Sequence, residues 1–173
     1  MTAIKNEIDA KEIIADIKAR PVAVNNVKCE KILVPTDGSD GAFTAVMEGV
    51  RLARATNAEL TILMVVDYDK DVAAFEQVSL SGYVPAELKI AAYKYLADIM
   101  HAIPPEIGAH TRLEVGAPNE KIIEVAAKEH SDLICMGSRG LGTVESLLLG
   151  SVSSYVLKYS SAPVLICKGT TAK

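Results

Sequence analysis

Between residues 31 and 168 the chain alternates short, mainly apolar runs with longer stretches whose apolar residues recur every three or four positions. The runs are Lys31–Val34, Leu60–Val66, Leu133–Met136 and Pro163–Cys167. Each is too short for a buried helix and reads as a strand covered on both faces. Thr111–Val115 alternates instead, as a strand nearer a sheet edge does. The stretches between read as helices. The first starts at Ser39, a good N-cap, carries Phe43, Val46, Met47, Val50 and Ala53 on one stripe, and breaks at Asn57. The second follows Pro85 with Leu88, Ala92, Tyr95, Leu96 and Ile99 inward, and ends before Pro104-Pro105. The third places Pro118 near its first position and turns Ile122, Ile123 and Ala126 inward; the fourth carries Val152, Tyr155, Val156 and Tyr159. Strands alternating with helices predict an α/β fold, an open doubly wound five-stranded parallel sheet with helices on both faces. Right-handed crossovers leave a few strand orders, of which 3-2-1-4-5 is the one expected.

Two segments stand outside this pattern. Residues 1–28 are expected to form an N-terminal helical extension to the α/β domain of residues 29–173. Its helix runs from Ala10 to about Ala19, with Ala10, Ile13, Ile14 and Ile17 on one face, and stops before Pro21. That apolar stripe can pack on its own domain or on another subunit. Asp67–Val84 has no strong period and reads as a long loop with a short helical turn near Val72–Gln77.

The chain has 173 residues and half of them are hydrophobic, ample for one core and inconsistent with disorder. No apolar run approaches the ~20 residues of a membrane helix, so no membrane partner is expected. The charged start, MTAIKNEIDAKEI, lacks a signal-peptide core, and a cytoplasmic location is expected. A net charge of −4 argues against nucleic acid as partner. Cys29, Cys135 and Cys167 contain no Cys-x-x-Cys pair, and the latter two read as small core residues. His101, His110 and His130 lack metal-ligand spacing.

Candidate chemistry concentrates after the fourth strand, in Gly137-Ser138-Arg139-Gly140 and, after nine intervening residues, Gly150-Ser151. Glycines there let backbone N–H groups approach an anion, and a helix N-terminus just beyond adds partial positive charge. Ser151 and Ser153 put hydroxyls at that helix start. The pattern is not a P-loop, since no Gly-Lys-Ser/Thr is present; nor is it the dinucleotide fingerprint, since Glu145 stands where a glycine is needed. The same glycines also fit a surface loop in which they only serve turns. Pro35-Thr36-Asp37, after the first strand, falls beside this loop at the switch point of order 3-2-1-4-5, where such sheets bind ligands. Asp37 can be a ligand group or a turn carboxylate. Arg139 can face phosphate or solvent. Asp67 and Asp69 can hold a hydrated Mg2+ or be solvated loop acids.

Together, KILVPTDGSD, LTILMVVD, VGAPNEKIIEVA, SDLICMGSRG, SAPVLICK and the complete Gly-x2-Gly-x9-Gly-Ser loop resemble the universal stress protein family, in its ATP-binding branch. The resemblance covers about residues 29–168 and is silent on residues 1–28. It implies that Asp37 sits near adenine or ribose, with Pro35 and Thr36 lining the pocket and backbone at Val65 or Val66 on adenine. It implies that Gly137, Gly140, Gly150, Ser151, Val152 and Ser153 hold ribose and phosphates, with Met136, Ser138 and Arg139 in the same stretch. It implies a homodimer through the edge strand Pro163–Cys167.

The expected function is thus a cytoplasmic ATP-binding stress or signalling protein with an unknown protein partner. ATP, ADP or AMP is the expected ligand, with or without Mg2+. A slow ATP hydrolase is the alternative, for which Arg139 and a loop acid can be nominated but no base. A third reading is a dimeric interaction module that binds AMP, a cyclic nucleotide or nothing.

Overall fold

The structure, a computed structural model, describes residues 28–67, 86–140 and 149–168. The strands are β1 (Lys31–Thr36), β2 (Glu59–Val66), β3 (Ala109–Val115), β4 (Leu133–Gly137) and β5 (Val164–Cys167). The described helices are α1 (Asp40–Thr56), α2 (Ala86–Ala102), α3 (Pro118–Glu129) and α4 (Ser151–Tyr159). All strand pairs are parallel, in the order β3-β2-β1-β4-β5, as the alternation predicted. The expected N-terminal helix and the 68–85 loop lie outside the described residues.

Alternate side chains of each strand enter opposite layers. Ile32, Val34, Leu60 and Ile62 pack with Ala45, Val46, Leu96 and Ile99 of α1 and α2. Leu33, Leu63, Ile134 and Met136 pack with Ile122, Val125 and Val156 of α3 and α4. Thr61, a buried polar strand residue under α3, donates to Glu129 Oε2 at 2.9 Å. Arg112 holds the other oxygen of that carboxylate at 2.7 Å, so a buried hydroxyl and a half-buried carboxylate are both satisfied.

The stripe on α1 departs from expectation. Phe43 and Met47 are 58% and 56% exposed, while Ala42, Ala45, Val46, Gly49 and Ala53 face the sheet. The helix lies too close to β1 for large side chains: a Cβ on Gly49 would come within 2.6 Å of Val34 Cγ2. Tyr159, expected inward on α4, is also exposed; its ring lies 4.5 Å from that of Tyr155.

β1 is longer than predicted, because Pro35 and Thr36 continue the strand. Lys31 accepts from β4 through Asp132 N, whereas Glu30 accepts from β2 through Glu59 N. Odd-numbered β1 residues therefore face β4. Proline has no N–H, so the bond missing at Pro35 falls on the β4 side. The β1–β4 register accordingly ends at Leu33↔Ile134, while β1–β2 continues to Thr36↔Met64. Beyond Leu33 the two central strands part, and the crevice of the doubly wound sheet opens between them.

Candidate functional site

One wall of the crevice is the turn after β1. Thr36 is buried, and its Oγ1 lies 3.1 Å from the Tyr95 hydroxyl and accepts from Gly38 N at 3.4 Å. Asp37 is exposed, and its Oδ1 accepts from Ser39 N at 3.0 Å and Ser39 Oγ at 2.6 Å. Gly38 has φ +82°, a conformation that favours glycine. Ser39 Oγ in turn accepts from Ala42 N at 3.3 Å and caps α1.

The other wall follows β4. Gly137 sits directly on the start of α1, where an added Cβ would meet the Gly41 carbonyl carbon at 2.7 Å and its oxygen at 2.9 Å. A Cβ on Gly41 would meet Arg139 O at 3.0 Å, so the two backbones interlock glycine to glycine. Ser138 N donates to Cys167 O at 2.8 Å, tying the turn to β5. Gly140 abuts the Asp37 carboxylate, whose Oδ2 stands where a Cβ would go. Residues 37 and 140 are thus brought together, joining the two rim motifs.

The floor is the N-terminus of α4. Gly150 N and Ser153 Oγ both donate to Ser138 O, at 2.8 Å each, which fixes α4 against the glycine turn. Gly150 is the N-cap residue and α4 has no side-chain cap. First turns of α1, α2 and α3 carry Asp40, Glu87 and Glu120; that of α4 carries no acid. Among the described helices α4 is therefore the one whose N-terminal partial charge is least compensated. Its first turn, Ser151 to Ser153, follows directly on Gly150, which lies against Ser138 and Arg139 of the glycine turn. Gly150 itself is not crowded: its φ is −73°, and an added Cβ would find its nearest neighbours at 3.5–3.6 Å. Among the described residues, neither backbone strain nor a neighbour demands glycine there.

Other nominated residues sit differently. Ser153 is buried and its hydroxyl is committed to the Ser138 and Gly150 carbonyls, so it holds the walls together. Met136 is buried among the α3–α4 core residues, and Val66 is buried with Ala92. Val66 O already accepts from Gly116 N at 3.0 Å. Val65 is half-buried beside the α3–α4 core, next to Val66 at the C-terminal end of β2. Arg139 is exposed at the rim, and Ser151 is exposed on α4. Asp67 is half-buried at the end of β2; Asp69 and residues 141–148 of the loop lie outside the described residues. Among the described residues no group of three His, Cys, Asp or Glu could hold a metal ion.

Sequence reasoning missed three participants. Ser39 was read only as a cap, yet it also holds Asp37. Gly41 gave no signal beyond its place after Ser39-Asp40. Tyr95 was read as a stripe residue of α2, and only its hydroxyl, unusual on an inward face, hinted at a polar partner.

A doubly wound parallel sheet of order 3-2-1-4-5, with a glycine-walled crevice at its switch point, defines an α/β protein of the class whose ligand sites lie at that point. The universal stress protein family model matches residues 28–168, and the chain belongs to that family. It is 34% identical over 144 residues to the universal stress protein MJ0531 of Methanocaldococcus jannaschii, covering 80% of this chain and 82% of that one. The solved structure of MJ0577 from the same organism superposes with TM-score 0.65 at 32% identity, over 84% of this chain and 100% of that one. A universal stress protein solved in complex with cAMP superposes with TM-score 0.61 at 29% identity, over 83% and 99% of the two chains.

Proposed function

We propose that the crevice between β1 and β4 binds an adenine nucleotide, and that the chain belongs to the ATP-binding branch of its family. The carrying observation is the N-terminus of α4, without side-chain cap or first-turn acid, held against Ser138 and Arg139 of the glycine turn whose Gly140 meets Asp37. Phosphate oxygens need N–H donors and positive partial charge, which the first turn of α4 supplies. Gly150 is a glycine that no described residue requires, and a phosphate lying on its backbone is a reason to keep a side chain out. Asp37, an anion, belongs with the hydroxyl or amino groups of the nucleoside rather than with phosphate. In this reading Pro35, Thr36, Val65 and Val66 border the base, with Val66 contributing surface since its carbonyl is taken. Ser138, Arg139, Ser151 and Val152 border the phosphates, while Met136 and Ser153 act from beneath. The relative in complex with cAMP supports an adenine nucleotide as the ligand class.

The nucleotide would serve as a signal in a cytoplasmic stress response, its occupancy setting the conformation of residues 29–173 and their choice of protein partner. Mg2+ would arrive with the phosphates, and Asp67, half-buried at the end of β2, is the described acid nominated to meet it. Isothermal titration with ATP, ADP, AMP and cAMP, followed by product analysis after long incubation, tests the reading. Saturable binding of one or more of these at micromolar concentration is expected, with little or no ATP consumed. Absence of heat with all four would refute the nucleotide site, and fast turnover would make the chain an enzyme.

A further inference from the structure

We infer that Tyr95, on α2, is a positioning residue of the nucleotide site, acting through Thr36 to set the Asp37 turn. This rests on the nucleotide reading and extends it to a helix outside the two rim motifs. The Tyr95 hydroxyl lies 3.1 Å from Thr36 Oγ1, the last side chain of the central strand. Thr36 Oγ1 also takes the Gly38 N–H at 3.4 Å. The Tyr95 ring closes over the same turn, since a Cβ on Gly38 would be 3.7 Å from its Cζ. Two contacts from one side chain thus fix the residues on both sides of Asp37.

Asp37 in turn has little freedom. Its Oδ1 is held by the Ser39 N–H and hydroxyl, and its Oδ2 fills the space at Gly140. A continuous chain of contacts therefore runs from α2 to the glycine turn: Tyr95, Thr36, Gly38, Asp37, Gly140. Buried Thr36 gains its satisfied hydroxyl from this chain, and a core-facing tyrosine gains a partner at the wet end of its ring. A plain core position would be filled equally well by phenylalanine. The hydroxyl's geometry is explained by its task of orienting the turn.

The test uses the full chain and AMP and ATP as probes, comparing the parent with Tyr95→Phe, Thr36→Val and the double variant. Tyr95→Phe keeps the ring and removes one hydrogen bond, so the fold is retained. Nucleotide affinity is expected to fall about three- to ten-fold, the range of one net hydrogen bond. The Gly38 and Gly140 amide signals should shift in 1H–15N spectra of the ligand-free protein. Thr36→Val should cost affinity likewise, and the double variant should bind about as the single ones do, since both break one link. A folded Tyr95→Phe that binds as the parent does, with unmoved Gly38 and Gly140 signals, overturns the inference and leaves the nucleotide reading standing. A parent protein that binds neither probe overturns both.

Discussion

The Asp37 carboxylate occupies the space that a Cβ on residue 140 would need. A side chain at 140 would have to push aside a carboxylate more than a hundred positions earlier. Gly140→Ala should displace either Asp37 or the turn, lowering nucleotide affinity at least ten-fold, about 1.4 kcal/mol. Asp37→Ala should relieve the overlap. It also removes the acceptor for Ser39 N and Oγ, at about 0.5–1.5 kcal/mol of stability. In urea unfolding, Gly140→Ala should thus cost less in the Asp37→Ala background than in the parent. Strict additivity of the two substitutions would show that the contact is not felt.

Gly150 gives the opposite test. Alanine fits its φ and its described neighbours, so Gly150→Ala should change stability by no more than about 1 kcal/mol, the N-cap preference for glycine setting the sign. Its nucleotide affinity should nevertheless drop several-fold, since the added methyl stands at the first turn of α4. Calorimetry on the folded variant decides this. Full affinity would mean that no ligand approaches the Gly150 backbone.

These two glycines show what the sequence made legible and what it did not. The spacing of Gly137, Gly140 and Gly150 located the turn and its helix. It could not say that each glycine answers to something different: Gly137 to the backbone of Gly41, Gly140 to Asp37, Gly150 to nothing within the described chain. Pairwise crowding across about a hundred residues has no local signature. Strand order was legible because short apolar runs alternating with amphipathic helices admit few right-handed windings. The burial of α1 was not, because a helix pressed close to a sheet selects small residues, and Phe43 and Met47 had the right spacing on the wrong face. Pro35 read as a turn signal. It lies within a central strand because its missing N–H falls where β1 and β4 already part.

The thiols of Cys135 and Cys167 lie 3.5 Å apart under α1, and both are buried. Burial pushes both thiols above the ordinary value of 9.0. Their ionisation thus occurs first in the unfolded chain, and the folded state binds more protons in alkaline solution. Their contribution to stability is complete below about pH 9 and is lost as pH rises, by up to about 1.4 kcal/mol per pH unit for each thiol. Urea midpoints measured with reductant from pH 8 to 10.5 should fall more steeply for the parent than for a Cys135→Ala, Cys167→Ala variant. Parallel slopes would show that neither thiol is held protonated by the fold.

The last prediction concerns assembly. β5 pairs with β4 along one side, from Ile134↔Val164 to Gly137↔Cys167, and no described strand covers its other side. Leu165 is 38% exposed on that edge, an apolar side chain beside a row of backbone groups that can pair with another strand. Two copies meeting through this edge about a two-fold axis would pair antiparallel and close the assembly at two. A homodimer at micromolar concentration is expected. Leu165→Lys should shift it toward monomer by placing two like charges near the axis. The edge also lies next to the site, because Cys167 O accepts from Ser138 N. Loss of the dimer should therefore loosen the glycine turn and lower nucleotide affinity modestly, about two- to five-fold, well under the loss expected from Gly140→Ala. Removing residues 1–28 should leave nucleotide affinity intact and weaken the assembly only if the Ile13, Ile14 and Ile17 stripe reaches the second subunit. Light scattering on the parent, Leu165→Lys and truncated chains separates these outcomes. A monomeric parent refutes the edge-strand dimer, and a dimer that survives Leu165→Lys with an unchanged dissociation constant places the interface elsewhere.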